Sequence, residues 1–323
     1  MATAKDVHII IALSYHFCIF FSATCFNNRI SEGKVLKNNS KIIIASDSTS
    51  DLGVELIQKY NIKINPLYIV KDYISLRDGE EINPTDVYEY VTMTSTLPKT
   101  AAANVKDHYG FLKQFTDEGY SVIYFTISSS MSSNFNNARI AAGQLEGVYV
   151  VDSKNLSTGV GLQVLYAADL AAENLTAGEI YSRVIDMQQH IDASFIIDTL
   201  EYLNKGGRCS SLAALGANLL KLKPCIEVKS GNMIVGKKYR GKLLDVLKEY
   251  VNARLADKDD IELDRIFITH SGCSDEITDE ISKLVKQILP FKEVFITRAG
   301  CTISVHCGPG TLGILFVRKS LIK

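Results

Sequence analysis

The feature that most constrains this chain is a regular alternation, from Lys41 onward, of short β-branched runs with stretches of helical periodicity. Ile42-Ile43-Ile44-Ala45 is short and branched, and it ends in Ser46-Asp47-Ser48-Thr49-Ser50-Asp51, which predicts a strand followed by a turn. Leu52, Leu56 and Tyr60 then share one helical face, and Ser50 or Asp51 is placed to cap that helix by accepting an orphan backbone N–H. The pattern repeats with a strand over 62–70 and a helix over 87–93 behind Asn83 as N-cap and Pro84 in its first turn. Helices follow over 105–115 and 134–145, with strands over 122–127 and 148–151. Continuous apolar strands separated by helices predict a mainly parallel sheet covered on both faces.

Beyond Asp152 the texture changes. Two successive helices over 159–173 and 177–190 have no strand between them, and Phe195-Ile196-Ile197 opens a second sheet. Residues 228–235, turning at Ser230-Gly231-Asn232, predict a hairpin. Strands over 265–270, 293–297 and 314–317 alternate with helices over 242–254 and 275–288. A length of 323 residues exceeds the usual single core, so the expected organisation is two α/β domains, 41–155 and 156–323, the second containing the hairpin. Residues 1–40 do not match the rest. Residues 7–26 are long enough to cross a bilayer, yet they include His8, Ser14, His16, Ser22 and Thr24 behind a single lysine. They are set aside as an N-terminal extension, with an added segment, a signal or anchor, and an accessory helix all left open; no stable membrane insertion is expected.

Composition removes several function classes. Hydrophobic residues make up 46% and charged residues 22%, and the net charge of −1 offers no basic excess to attract nucleic acid. The seven cysteines are odd in number and form no C-x-x-C pair, which excludes a zinc ribbon and a thioredoxin-type motif. They read as reduced, mostly buried thiols of a cytoplasmic protein, with Cys307 singled out because His306 adjoins it. The sequence has no G-x-x-x-x-G-K-[ST], G-x-S-x-G or H-E-x-x-H motif. Gly308-Pro309-Gly310-Thr311-Leu312-Gly313 matches G-x-G-x-x-G literally but lacks the helix, second strand and later acid of a dinucleotide fold. Neither a metal nor a cofactor is expected.

What remains is a set of polar stretches far apart in sequence: Leu97-Pro98-Lys99-Thr100, the hydroxyl run from Ser128 to Ser133 with Asn134, and His306-Cys307-Gly308-Pro309-Gly310. Each follows or interrupts a strand-like run, so all are expected at loop ends of the scaffold, where neutral donors can converge on a small anionic group. Plainer roles stand beside that one. Ser132, Ser133 or Asn134 can cap the following helix, Thr100 can be a turn residue, and His306 can be a satisfied histidine near the core. Lys205-Gly206-Gly207-Arg208 is a further glycine-relieved turn with two cations, which a solvated surface also explains.

Taken with Asp47-Ser48-Thr49-Ser50-Asp51-Leu52 and Asp78-Gly79, the order and spacing of these stretches resemble the DegV family of bacterial fatty-acid-binding proteins over Lys41 to the C-terminus. The resemblance implies a two-domain α/β protein that holds one long-chain fatty acid in a tunnel between its domains. It implies that Thr100 and Ser132 hydrogen-bond the carboxylate with His306 nearby, and that Arg208, with Ser133 and Gly308, lies near the head group or a partner surface. It further implies that a separate ATP-dependent fatty acid kinase converts the presented carboxyl group to an acyl phosphate for phospholipid metabolism, so the chain itself is a binding subunit and not an enzyme. Two departures stand out. The family usually has Ser-Gln-Pro-Ser after the threonine, where this chain has Ala101-Ala102-Ala103-Asn104, and Ser-Gly-Thr where it has Ser132-Ser133-Asn134. The competing expectation is a stand-alone acyl transferase or hydrolase using Ser132 or Cys307 with His306. A sensor or scaffold that binds another protein through the 205–208 turn is a third.

Overall fold

Burial on both faces of the central strands gives the fold its layers. The computed structural model describes residues 41–209 and 222–322. In β1 (Ile42–Asp47) every residue is buried, and successive side chains point to opposite sides. Ile42 and Ile44 enter the main core, whereas Ile43 and Ala45 join a separate cluster with Leu112 and Ala138. A strand buried on both faces needs a covering layer on each side.

The chain continues through α1 (Val54–Lys59), β2 (Lys63–Asn65), β3 (Tyr68–Lys71), β4 (Ile74–Arg77), α2 (Pro84–Thr94), β5 (Lys99–Ala101), α3 (Val105–Asp117), β6 (Ser121–Thr126), α4 (Asn134–Ala142) and β7 (Val148–Asp152). Strands β2-β1-β6-β7 form a four-stranded parallel sheet, as the alternation predicts. Strands β4-β3-β5 form a small antiparallel sheet that the pattern does not predict.

Next come α5 (Thr158–Ala172), α6 (Ala177–Met187), β8 (Ile191–Ile196), α7 (Glu201–Gly206), β9 (Lys223–Lys229), β10 (Asn232–Tyr239), α8 (Leu243–Leu255), β11 (Ile261–Ser271), α9 (Asp275–Ile288), β12 (Glu293–Arg298), α10 (Cys301–Cys307) and β13 (Thr311–Arg318). Their strands form a six-stranded sheet in the order β10-β9-β8-β13-β11-β12, antiparallel except for the β11–β12 pair. The β9–β10 hairpin turns where expected, with Ser230 and Gly231 both at positive φ. Helix α5 is buried nearly all round and packs against both β1 and β8, so a single apolar core joins Ile44 and Phe125 to Phe195, Phe267 and Leu315.

The structure departs from the sequence pattern at several places. The expected strand over 62–70 is two strands, because Pro66 has no N–H to donate and interrupts the ladder between β2 and β3. Helix α1 has Gly53 as N-cap without a side-chain bond; Asp51 instead reaches across the core to Gly300. The expected cap at Asn83 is present as a full capping box. Thr100 lies in strand β5 and not in a loop, and His306 lies in the last turn of helix α10. Among the described residues, no helix is long and apolar enough to cross a membrane. Residues 1–40, including Cys18 and Cys25, lie outside the described part.

Candidate functional site

A cavity of about 270 Å³ opens where the small antiparallel sheet, the hydroxyl loop and α10 meet. Its polar rim holds Thr100, Ser132, Ser133, Arg208, Thr302 and His306, and its apolar wall includes Leu67, Ile127, Met131, Leu156, Met233 and Ile303. Antiparallel pairing places Thr100 opposite Ile69 of β3, and the Ile69 side chain packs with Cys301 and Val305 of α10. That packing brings the two segments together across 206 residues of sequence, and Thr100 Oγ1 sits 2.9 Å from His306 Nε2. The hydroxyl loop is folded back on Ser128, whose carbonyl accepts from the N–H groups of Met131 and Ser132. Ser128 Oγ donates to Gly231 O at 2.7 Å, which fastens the loop to the β9–β10 turn. Gly231 suits that approach, since a Cβ there would stand 2.7 Å from the same hydroxyl.

Helix α10 is too short to be stable alone, and aspartate side chains from distant loops hold its N-terminus. Asp51 Oδ1 accepts from the Gly300 N–H at 2.9 Å. Asp78 accepts from the N–H groups of Cys301 and Thr302 at 2.9 and 3.0 Å, from Thr302 Oγ1 at 2.6 Å and from Ser48 Oγ at 3.1 Å. Both side chains are buried, and burial pushes Asp51 up to about 8 despite its bonds from Ser157 and Gly300. Asp47, also buried, is raised to about 6 by desolvation, against bonds from Thr49, Ile127 and Asn134. The sequence marked Asp47 and Asp78 as parts of motifs without giving them a task, and offered Asp51 only as a cap for α1. Their task is structural, and no local pattern signals it.

Apart from Arg208, the polar groups of the rim are uncharged. Burial pushes the His306 imidazole down to about 4, with the Arg208 guanidinium acting in the same direction, so the ring is uncharged at neutral pH. His306 Nδ1 is buried and has no hydrogen-bond partner among the described residues. Gly206 backs that nitrogen so closely that a Cβ there would lie 2.3 Å from it. Arg208 is exposed, donates to Gly206 O at 2.6 Å and is the one cationic side chain among the described residues lining the cavity. A smaller void of about 20 Å³ shares Leu156, Ile303 and Cys307 with the main cavity and is lined further in by Phe195 and Leu315.

Of the residues singled out from sequence, Thr100, Ser132, Ser133, His306 and Arg208 line this one cavity. Gly308 is not among the lining residues. It ends α10 at φ +75, where a Cβ would strike Tyr202 at 2.7 Å, so its need for glycine comes from packing and not from close approach to a ligand. The G-x-G-x-x-G match runs into strand β13, not a helix. Cys307 lines the cavity, but burial pushes its thiol up to about 12, which leaves it protonated at neutral pH. Leu67, Met233, Thr302 and Ile303 were not foreseen as lining residues, because their membership depends on how distant strands meet.

The geometry invites comparison with known proteins. The family model described as "Uncharacterised protein, DegV family" matches residues 41–319. The chain belongs to the DegV family. It is similar to a DegV domain-containing protein of Clostridium perfringens, 31% identical over 286 residues that cover 86% of this chain and 99% of that one. Among solved structures it is similar to a fatty-acid-binding DegV family protein of Thermus thermophilus, with a TM-score of 0.77, 28% identity, and coverage of 86% of this chain and 99% of that one. It is also similar to a stearic-acid-binding protein of Eubacterium ventriosum, with a TM-score of 0.76, 26% identity, and coverage of 87% and 98%. Fatty acid binding is thus a property of DegV proteins that share this fold.

Proposed function

We propose that this chain binds one long-chain fatty acid in the cavity, between domains 41–155 and 156–323, and presents its carboxylate to a separate ATP-dependent fatty acid kinase in the cytoplasm. The kinase would form an acyl phosphate for phospholipid metabolism, and this chain would serve as its lipid-binding subunit without catalysing the transfer. The observation that carries the reading is the convergence of Thr100, Ser132 and His306 at the rim of a cavity that has an apolar wall. In this reading Thr100 and Ser132 hydrogen-bond the carboxylate, His306 orients the Thr100 hydroxyl, and Arg208 and Ser133 flank the opening.

Magnitudes divide the labour. About fifteen buried methylenes at roughly 0.8 kcal/mol each give a gross transfer term near 12 kcal/mol before ordering costs. Each hydrogen bond to the carboxylate adds about 1.5–3 kcal/mol, so the tail supplies affinity and the head sets alignment. Hydroxyl donors also leave the carboxylate oxygens nucleophilic, where a bidentate arginine would lock them. The hydrolase alternative needs a thiolate at Cys307 or a basic His306, and burial opposes both.

The test is lipid analysis of the protein purified from a bacterial host. Denaturing extraction followed by mass spectrometry is expected to release close to one equivalent of a long-chain acid per chain. Recovery of no acid, after incubation with excess palmitic acid as well, would end the proposal.

A further inference from the structure

Asn134 and Asn137, three residues apart on the first turns of α4, grip both backbone polar groups of one residue, Ala103, in the segment that follows β5. Asn134 Oδ1 accepts from the Ala103 N–H at 3.2 Å, and Asn137 Nδ2 donates to the Ala103 carbonyl at 2.8 Å. Ala103 is fully buried, so both of its backbone polar groups need a partner, and these two side-chain amides satisfy them as a neighbouring strand would. Asn134 is equally buried, and the rest of its amide is committed. Its Nδ2 donates to Asp47 Oδ2 at 2.8 Å, and its Oδ1 lies 3.1 Å from His108 Nε2.

These contacts set the amide orientation of Asn134 and the tautomer of His108. With Nδ2 facing a carboxylate, Oδ1 must accept from both Ala103 and His108, so His108 carries its proton on Nε2. Its Nδ1 then accepts from Asn65 Nδ2 at 3.1 Å, and Asn65 also donates to the Tyr124 hydroxyl at 3.2 Å. Burial keeps His108 neutral. Asn134 therefore does not cap α4 with its side chain, and neither does Ser133 at the N-cap position. The amide is spent on holding two loops together.

Those loops are the two halves of the rim. Ala103 stands three residues after Thr100, with cavity-lining Ala101 and Ala102 between them. Asn134 directly follows Ser133, and its backbone N–H donates to Ser132 Oγ at 3.2 Å. Asp47 Oδ2 takes the Ile127 N–H at 2.8 Å as well, which ties the base of the hydroxyl loop to the same cluster. We propose that Asn134 and Asn137 are positioning residues for the acid end of the ligand, setting the gap between the Thr100 and Ser132 hydroxyls from behind the cavity. The inference rests on the fatty acid reading of the site. Because the clamp bonds directly to the segment behind Thr100 and reaches the apolar wall only through Asp47 and the Ile127 N–H, it governs discrimination between head groups more than the affinity of the alkyl chain.

The experiment measures the affinity of the full chain for palmitic acid and for hexadecan-1-ol by displacement of anilinonaphthalene sulfonate, in wild type, Asn137→Ala and Asn134→Asp. At pH 8 both variants are expected to lose about tenfold or more of the acid-over-alcohol preference, the effect of misplacing one hydrogen bond to a charged group, while alcohol affinity is unchanged. Asn134→Asp sets a second carboxyl against Asp47, within a cluster whose other titratable members are His108 and Tyr124, with Asp51 close enough to interact with Asp47 and Asp107 with His108. A proton shared by the two carboxyls recreates the amide's donor and acceptor, so at pH 5 this variant is expected to regain the preference that wild type shows at that pH. Both variants keeping the wild-type preference, with wild-type Tm, would overturn the positioning role. Wild type binding neither ligand would instead overturn the fatty acid reading and the clamp's purpose with it. If Asn134→Asp does not fold, Asn137→Ala, which removes only a half-buried contact, decides the question alone.

Discussion

Replacing Thr100 with valine is expected to weaken binding of a long-chain acid by about 10- to 100-fold, corresponding to the roughly 1.5–3 kcal/mol of one hydrogen bond to a charged group. Valine keeps the shape and the β-branching of threonine, so β5 should keep its pairing with β3. What it removes is the oxygen that stands 2.9 Å from His306 Nε2 and faces the cavity. His306 would then have both ring nitrogens unpaired, since Nδ1 already lacks a partner among the described residues. The loss should therefore fall on binding and on the placement of the ring, with Tm changing little. Calorimetric titration with palmitic acid, alongside thermal unfolding, separates the two. An unchanged dissociation constant would remove Thr100 from the site.

The largest effect on stability is expected from Asp78→Ala. The substitution strands two backbone N–H groups of α10 and the Thr302 hydroxyl in a buried setting. Each unsatisfied buried donor costs about 1–3 kcal/mol, so a total of about 3–5 kcal/mol is expected after partial relaxation. In a protein of this size that corresponds to a fall of roughly 4–8 °C in Tm. Asp78→Asn should lose less, because an amide oxygen still accepts. The damage should also reach the cavity, since α10 carries Thr302, Ile303, His306 and Cys307 into its wall. Thermal unfolding of both variants checks the order, and a change below about 1 kcal/mol in Asp78→Ala would show that α10 does not depend on this cap.

These two residues also show how far the sequence could be read. Strands β1 and β6 were legible because burial on both faces leaves an uninterrupted apolar run, and the β9–β10 turn was legible because Ser230-Gly231 supplies the positive φ values that it needs. The sheet β4-β3-β5 was not legible. Its strands are three or four residues long and mostly half-exposed, and its key pairing, Ile69 with Thr100, joins segments about thirty residues apart. Helix α10 was hidden for a related reason: its seven residues are held by Asp51 and Asp78 from distant loops, so no local propensity announces it.

The site divides along the same line. Thr100, Ser132, Ser133, His306 and Arg208 were picked out by residue type at loop-like positions, and all five reach one cavity although two of them sit in regular structure. Gly308 carried the same kind of signal but is not among the residues lining the cavity, and its positive φ and the nearby Tyr202 ring already account for a glycine there. Asn137 gave no signal, since its partner Ala103 lies 34 residues away and contributes only a backbone carbonyl. Residue chemistry nominates candidates, and long-range packing decides which of them share a surface.

The most direct test of the account is a crystal structure of the protein grown with palmitic acid. The carboxylate is expected within hydrogen-bond distance of Thr100 Oγ1 and Ser132 Oγ, with the alkyl chain running past Leu156 and Ile303 toward Phe195 and Leu315. An acid lodged instead in the open groove lined by Tyr166, Arg183, Arg265 and Val317, or a ligand-free cavity at saturating acid, would contradict it.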